Sequence, residues 1–306
     1  MRNAAARKVL ELAQKDRNVI LMAGDLGYGV LNEFRETLPG QFFNAGICEQ
    51  NMTSVATGLA LEGKVVFTYS IANFPSLRCL EQIRDDAAYH RANVKIMSVG
   101  AGLAYGSLGM SHHATEDLAI LRALPNVTVF SPSGPAEAVQ ACEAAYAIQG
   151  PCYIRLGKGK EKDIAVPPAG YRVGRAVLVM DGHDVCVFAT GAILSEAYQA
   201  AVALNGQNIS TALYSFPTVK PLDTDLIRAK AASAKLIVTV EEGNIVGGFG
   251  GAVAETISEM PGEKAVLKRI GMQDCYCETV GDQEYLRDCY GMSAEKIADT
   301  VRKIVG

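Results

Sequence analysis

The feature that most constrains the fold is a regular alternation of short apolar runs with helical segments. In the first half of the chain, apolar runs of strand length lie at 18–23, 64–69, 94–99, 126–130 and 152–155. Segments with a helical pattern separate them, at 50–61, 75–90, 116–124 and 135–148. Near-continuous apolar strands between helices are typical of a parallel sheet that helices cover on both faces. The pattern therefore predicts an α/β fold.

The alternation breaks between 157 and 170. This segment carries three lysines and the pair Pro167-Pro168 without any apolar period, so it is the best candidate for a linker. Beyond it, strands are expected at 184–189, 209–214, 236–240 and 265–270, and helices at 194–205, 222–232, 251–259 and 294–304. We therefore predict two three-layer, parallel-sheet domains, residues 1–160 and 171–306, joined by a linker at 161–170.

Composition and charge exclude several classes of protein. The chain has 29 basic and 33 acidic residues, whereas nucleic-acid-binding proteins usually carry a basic surplus. No apolar run reaches the ~20 residues of a membrane span, and the first seven residues lack the apolar stretch of a signal peptide. The eight cysteines are scattered, which indicates reduced thiols. Cys275, Cys277 and Cys289 are the one alternative for a metal site, which their spacing disfavours. We expect a cytoplasmic protein that binds neither nucleic acid nor membrane.

Ligands of open α/β sheets bind beyond the carboxyl ends of the strands, so the segments that follow the strands are the candidates for chemistry. These segments supply a carboxylate, an aromatic ring, a histidine pair and a basic cluster, at 24–27, 48–51, 70–74, 100–113 and 155–158. Glu49 opens a predicted helix, where a carboxylate also suits the helix dipole, so a structural and a catalytic role both stay open. His112 and His113 are adjacent and point in different directions, which disfavours one shared metal.

Four motifs, in order along the chain, then carry a family resemblance. They are NAGICEQNM at 44–52, FPSLRCLEQIR at 74–84, SHHATEDLAILR at 111–122, and VEEG with GGFGGAVAE at 240–255. Together they resemble the pyrimidine-binding and C-terminal domains of transketolases over nearly the whole chain. The chain is most similar to the C-terminal subunit of a split transketolase.

The resemblance implies thiamine diphosphate as cofactor, with Glu49 at the pyrimidine ring nitrogen. A poorly solvated carboxyl group there shares a proton with that nitrogen, which favours the imino form that removes the thiazolium proton. Phe74 is expected to stack on the pyrimidine, and Gln50 to help bind the cofactor. His112 is expected near the thiazolium and the substrate oxygen, where it moves protons.

For the substrate, the resemblance implies that Arg155 contacts a phosphate, with Lys158 and Lys160 as assistants. His113, which replaces a usual glutamine, and Asp25 and Tyr105 complete the expected substrate contacts.

Three positions depart from ordinary transketolase. Leu108, Gly100 and Gly29 stand where the family has an aspartate, a histidine and a serine. Losing hydrogen-bond partners changes which hydroxyls can be buried. We therefore expect a modified, deoxy or nucleotide-linked sugar, with or without phosphate, as donor.

The family site also needs a domain that holds the diphosphate through Mg²⁺, with a Gly-Asp-Gly motif. The run Gly24-Asp25-Leu26 is not that motif. The resemblance therefore implies half an enzyme, whose diphosphate and Mg²⁺ ligands come from an N-terminal transketolase subunit. We expect an α2β2 heterotetramer with sites at subunit interfaces.

The expected reaction moves a two-carbon ketol unit from a ketose to an aldehyde. One alternative is a beta subunit that starts from a 2-oxo acid, similar to deoxyxylulose-phosphate synthase or pyruvate dehydrogenase. Another is a non-catalytic partner subunit, which the joint presence of Glu49, Phe74 and His112 disfavours.

Overall fold

The computed structural model describes residues 1–159, 161–164 and 171–305. In the first half, the helices are α1 (Arg2–Lys15), α2 (Asn32–Thr37), α3 (Glu49–Leu61), α4 (Leu80–Gln82), α5 (Asp117–Ala123) and α6 (Pro135–Ala147). The strands are β1 (Val19–Ala23), β2 (Phe42–Asn44), β3 (Val65–Ile71), β4 (Val94–Val99), β5 (Thr128–Phe130) and β6 (Cys152–Leu156).

The second half repeats the alternation of strands and helices. Its strands are β7 (Val177–Met180), β8 (Val185–Thr190), β9 (Thr211–Ser215), β10 (Thr218–Lys220), β11 (Leu236–Asn244) and β12 (Val266–Met272). Its helices are α7 (Leu194–Asn205), α8 (Thr224–Ala231), α9 (Phe249–Ser258), α10 (Gln283–Cys289) and α11 (Ala294–Val305).

Two sheets carry these strands, and helices cover both faces of each. Over the described residues the strand order is β10-β5-β6-β4-β3-β1-β2 in the first sheet and β12-β11-β8-β9-β7 in the second. In β1, Ile20 and Met22 join one hydrophobic cluster, whereas Leu21 joins another. Successive side chains of a strand point to opposite faces, so the first sheet lies between two apolar layers. This confirms the predicted two-domain α/β architecture.

The parallel pattern changes at two edges of the sheets. Strand β7 pairs antiparallel with β9, and β10 pairs antiparallel with β5, with Thr218 opposite Phe130. A strand from the second half of the chain thus completes the sheet of the first half. The domain boundaries stay a prediction, and residues 160 and 165–170 of the region around the proposed linker lie outside the described residues.

The helix expected over 75–90 is irregular. Turns occupy 74–79, α4 is a single turn, and a π-helical segment follows at Ile83–Ala88. The Ser76 hydroxyl donates to the Ala72 carbonyl oxygen, which holds the turn against the end of β3. The consequence is that Phe74 and Arg78 sit on a turn at the carboxyl edge of the sheet and not on a regular helix face.

Candidate active site

Glu49 is the buried carboxylate at the carboxyl edge of the first sheet. It is the first residue of α3, and it is 1% exposed. Its Oε1 accepts a hydrogen bond from Ser70 Oγ at 2.9 Å, and its Oε2 accepts one from Arg78 Nη1 at 2.9 Å. A Cβ at Gly24, directly after β1, would lie 3.2 Å from Glu49 Oε1. The missing side chain at that position lets the carboxylate sit against the end of β1.

Arg78 bridges Glu49 and the aromatic ring of Phe74. Its guanidinium carbon lies 4.5 Å from the ring centroid of Phe74, while Nη1 donates to Glu49. Phe74 is half-buried, and the side chain of Arg78 is 43% exposed. The guanidinium is thus held by a cation–π contact on one side and a charge-assisted hydrogen bond on the other. One planar group, the guanidinium of Arg78, therefore contacts both the carboxylate and the ring.

The ring of His112 contacts the rings of both Phe74 and Tyr105. Its ring centroid is 5.4 Å from that of Phe74 and 5.6 Å from that of Tyr105, and its Nδ1 is 3.0 Å from Ser111 Oγ. Burial, and then the positive charges of His113 and Lys158, lower the pKa of His112 below its usual value of 6.5. A lowered pKa leaves the imidazole neutral at pH 7, so His112 is ready to accept a proton.

The position of the Tyr105 ring depends on Gly100, which stands where the family has a histidine. Gly100 has a φ of +104°, and a Cβ there would lie 2.0 Å from Cε2 of Tyr105. No larger residue fits beneath the ring without moving it. The exposed Lys158 places its Nζ 4.6 Å from the centroid of Tyr105. Lys160, its expected companion, lies outside the described residues.

Gln50 and Asp25 lie nearer the rim. Gln50 is exposed on the first turn of α3 and lines a shallow groove together with Arg78. Asp25 is exposed, has a φ of +53°, and accepts a hydrogen bond from Asn44 Nδ2 at 2.8 Å. Its bonds tie the end of β1 to the end of β2, so its expected substrate contact stays a prediction.

Arg155 is buried in an ion pair with Asp117. It is 2% exposed, and its Nε and Nη2 donate to the two carboxylate oxygens of Asp117, at 2.8 and 3.1 Å. Nη2 also donates to the carbonyl oxygens of Ala114 and Glu242. A guanidinium enclosed in this way has no open face for a substrate. These contacts give Arg155 a structural role, and its expected phosphate contact stays a prediction.

His113 is likewise buried, inside the loop that carries His112. It is 3% exposed, and its Nε2 lies 2.9 Å from the carbonyl oxygen of Gly106. The ring thus holds the loop from inside, and the expected substrate contact of His113 stays a prediction. The sequence did not predict two residues that contact Glu49, namely Arg78 and Ser70. Arg78 stands within one of the four motifs, four residues after Phe74, and Ser70 lies near the end of a strand, but neither position alone signals a contact with Glu49.

No metal site is found in this part of the molecule. Over the residues that the structure describes, no group of three or more His, Cys, Asp or Glu side chains is placed to hold a metal ion. Nor does any helix of the described chain combine the length and apolar character that crossing a bilayer requires.

Comparisons with known proteins decide the family. The description "Transketolase, pyrimidine binding domain" matches residues 1–162, and "Transketolase, C-terminal domain" matches residues 174–297. The chain belongs to the transketolase family. The resemblance read from the four motifs is thereby confirmed.

Similar proteins of the transketolase family include separate subunits. A 6-deoxy-6-sulfo-D-fructose transketolase subunit of Clostridium sp. (strain MSTE9) is 33% identical, covering 99% of this chain and 94% of that protein. An apulose-4-phosphate transketolase subunit of Phocaeicola vulgatus is 34% identical, covering 97% and 95%. A 1-deoxy-D-xylulose-5-phosphate synthase of Caldanaerobacter subterraneus is 32% identical over 96% of this chain, but over only 47% of its own length.

A solved structure described as a split gene transketolase, inactive beta4 tetramer, has the same architecture. It superposes with a TM-score of 0.89 and 34% identity, covering 99% of this chain and 97% of that one.

Replacing Asp117 by Asn tests the structural role of Arg155. The change leaves the buried guanidinium without its charge partner, so we expect a loss of about 3 kcal/mol or more in the free energy of unfolding. Urea unfolding of the purified chain measures this. Asp225→Asn is the matched control, because Asp225 pairs with Arg175 at the exposed surface, where we expect a loss of about 1 kcal/mol or less. Equal losses in the two variants would contradict the structural role.

Proposed function

We propose that this chain is the catalytic half of a heteromeric, thiamine diphosphate-dependent transketolase. The assembled enzyme moves a two-carbon ketol unit from a ketose to an aldehyde. One observation carries the proposal: a buried carboxylate, a half-open aromatic face and a neutral imidazole meet at one edge of the sheet. These are Glu49, Phe74 and His112.

The gap between Glu49 and Phe74 fits the aminopyrimidine of the cofactor in shape and in polarity. The guanidinium of Arg78 now fills that gap as a flat group that donates to the carboxylate and stacks on the ring. A pyrimidine whose ring nitrogen carries a proton has the same flatness and offers the same kind of donor. The residues therefore fit the cofactor once Arg78 has moved aside.

Each side chain has a separate task in this proposal. Glu49, shielded from water, holds the proton that it shares with the pyrimidine nitrogen. Phe74 fixes the plane of that ring, and Gln50 borders it from the first turn of α3. His112, neutral at pH 7, accepts a proton from a substrate oxygen and returns it. When bound, thiamine diphosphate supplies the stabilised carbanion that none of these side chains can provide.

We assign the diphosphate and Mg²⁺ ligands to an N-terminal partner subunit, in an α2β2 assembly. Two observations support this assignment. The described residues contain no cluster suited to a metal, and the similar solved structure of beta chains alone is described as inactive.

The donor in this proposal is a modified sugar or sugar phosphate. Leu108 is exposed and Gly100 lies beneath Tyr105, so neither position offers a side-chain hydrogen bond to a hydroxyl. A relative acts, by its name, on a 6-deoxy-6-sulfo sugar, and another on apulose 4-phosphate. With Arg155 enclosed, Lys158 beside Tyr105 is the cation that we assign to an anionic group of the sugar.

The similarity to deoxyxylulose-phosphate synthases favours one alternative, a reaction that starts from a 2-oxo acid. The assembled complex separates the two. Release of carbon dioxide from pyruvate would favour the alternative, whereas ketol transfer from a panel of sulfonated, deoxy and phosphorylated ketoses without that release supports the proposal.

Replacing Glu49 by Gln tests the proposed proton sharing. Gln cannot donate a carboxyl proton, so we expect deuterium exchange at the thiazolium carbon to slow by ~10²-fold or more in the complex with its partner. NMR of the exchanging proton measures this without knowledge of the substrate. Glu137→Gln is the control, because Glu137 is an equally buried carboxylate that bonds Ser133 and Ser215 away from the site. An unchanged exchange rate in Glu49→Gln would sink the proposal.

Replacing Arg78 by Met tests whether this guanidinium and the cofactor compete. The change removes a half-exposed ion pair and a cation–π contact, which are together worth about 1 kcal/mol. We therefore expect thiamine diphosphate to bind about fivefold more tightly to the assembled complex, as calorimetric titration with Mg²⁺ measures. Arg84→Met, which removes an exposed arginine paired with Asp85, should leave the affinity unchanged. Weaker binding in Arg78→Met would show that Arg78 is a ligand of the cofactor instead.

A further inference from the structure

The loop of residues 100–115, which we call the His112 loop, is held by the second half of the chain. Glu242 of β11 is 3% exposed, and its Oε1 accepts a hydrogen bond from the backbone N–H of Leu103 at 2.7 Å. Gly102 has a φ of +59°, and a Cβ there would lie 2.5 Å from the carbonyl oxygen of Glu242. The backbone of the loop therefore packs directly on Glu242.

Glu242 is itself fixed by α10. Gln283 Nε2 donates to its Oε1 at 2.8 Å, and Arg287 Nε donates to its Oε2 at 2.6 Å. Arg287 is also largely buried. The carboxylate thus uses one oxygen for the loop and the other for a buried cation, which satisfies the charge of Arg287 inside the protein.

Further hydrogen bonds connect the part of the His112 loop at Glu242 to His112 itself. Gly102 and Ala114 exchange backbone hydrogen bonds of 2.9 and 3.1 Å, so the two ends of the loop are joined. Near its end, the carbonyl oxygen of Thr115 accepts a hydrogen bond from Asn244 N at 2.7 Å, again from β11. At the tip, Asn73 Nδ2 donates to the carbonyl oxygen of Ser111 at 2.6 Å. His112 is therefore held between the end of β3 and the second domain.

We propose that Glu242 is a positioning residue that orients His112 for proton transfer. The inference rests on the proposed function, since it gives the C-terminal domain the task of holding the histidine of that site. Glu242 touches neither the cleft at Glu49 nor the ring of Phe74 in the contacts that the structure describes. Its effect reaches the chemistry through the His112 loop alone.

The substitution Glu242→Gln separates this role from general stability. A glutamine has one acceptor oxygen, which cannot serve both Leu103 N–H and Arg287. The charged guanidinium of Arg287 is the strongest of these donors and keeps the oxygen, so the NH₂ group faces the donors Leu103 N–H and Gln283 Nε2. The loop should then loosen, and the imidazole of His112 should become more hydrated.

The experiment has two readouts that need no cofactor. Hydrogen exchange across 100–115 in the purified chain should rise by about tenfold or more in Glu242→Gln at conditions where the rest of the chain keeps its protection. The pKa of His112, followed by NMR of ¹³C-labelled histidine, should rise towards 6.5 as burial decreases. The groups that set this pKa from the neighbouring segments, His113 and Lys158, are unchanged by the substitution.

Glu255→Gln is the matched control. Glu255 of α9 also pairs across the two halves of the chain, with Arg122 of α5, but it makes no bond to the His112 loop in the described contacts. We expect neither readout to move in this variant. If Glu242→Gln unfolds the chain, Gln283→Leu removes a single bond to the same carboxylate and should change both readouts in the same direction but less.

In the assembled enzyme, Glu242→Gln should lower kcat by about tenfold and leave the affinity for thiamine diphosphate within about twofold, since Glu49 and Phe74 are on other elements. Loop exchange and a His112 titration equal to those of Glu255→Gln would overturn the inference. Failure of the proposed function appears separately, as an unchanged thiazolium exchange rate in Glu49→Gln.

Discussion

One buried guanidinium, that of Arg155, fixes how the two halves of the chain meet. It pairs with Asp117 inside the first domain and donates to the carbonyl oxygen of Glu242 in the second. The hydroxyl of Tyr153 also donates to the carboxylate of Asp117, at 2.7 Å. Both oxygens of that carboxylate therefore accept hydrogen bonds. A buried charge is tolerated only when it is enclosed in this way. This one group contacts four elements, namely the ends of β6 and β11, the start of α5 and the end of the His112 loop.

The local pattern of the sequence predicted the elements that alternate regularly. Apolar runs gave β1, β3 and β4 closely, because strands buried on both faces must be apolar throughout. Parallel strands also end at one edge, which is why Glu49, Phe74 and His112 were expected together and lie together. The short strands β2 and β10 were missed, since three residues carry no periodicity and their pairing partners are distant in sequence.

The sequence motifs did not show the surroundings of Arg155 and His113. A motif gives the type of a residue and not its partners, and Arg155 acquires its character from Asp117, 38 positions earlier. The same holds for His113, whose hydrogen bond turns back into its own loop. Arg78 is the opposite case, a residue to which the sequence assigned no role and which the structure places at the site. Its contact with Glu49 and Phe74 exists because a turn, and not a regular helix, follows β3, and residue periodicity did not predict that turn.

In the function that we propose, this chain supplies half of an active site. Arg78 occupies the cofactor's place between Glu49 and Phe74 and moves aside when thiamine diphosphate binds to the assembled enzyme. The most direct measurement is native mass spectrometry of the tagged chain, captured from its own cells with its bound small molecules. We predict two copies of this chain with two of a second polypeptide, together with thiamine diphosphate. A homo-oligomer that takes up no cofactor, even after thiamine diphosphate and Mg²⁺ are added, would contradict the proposal.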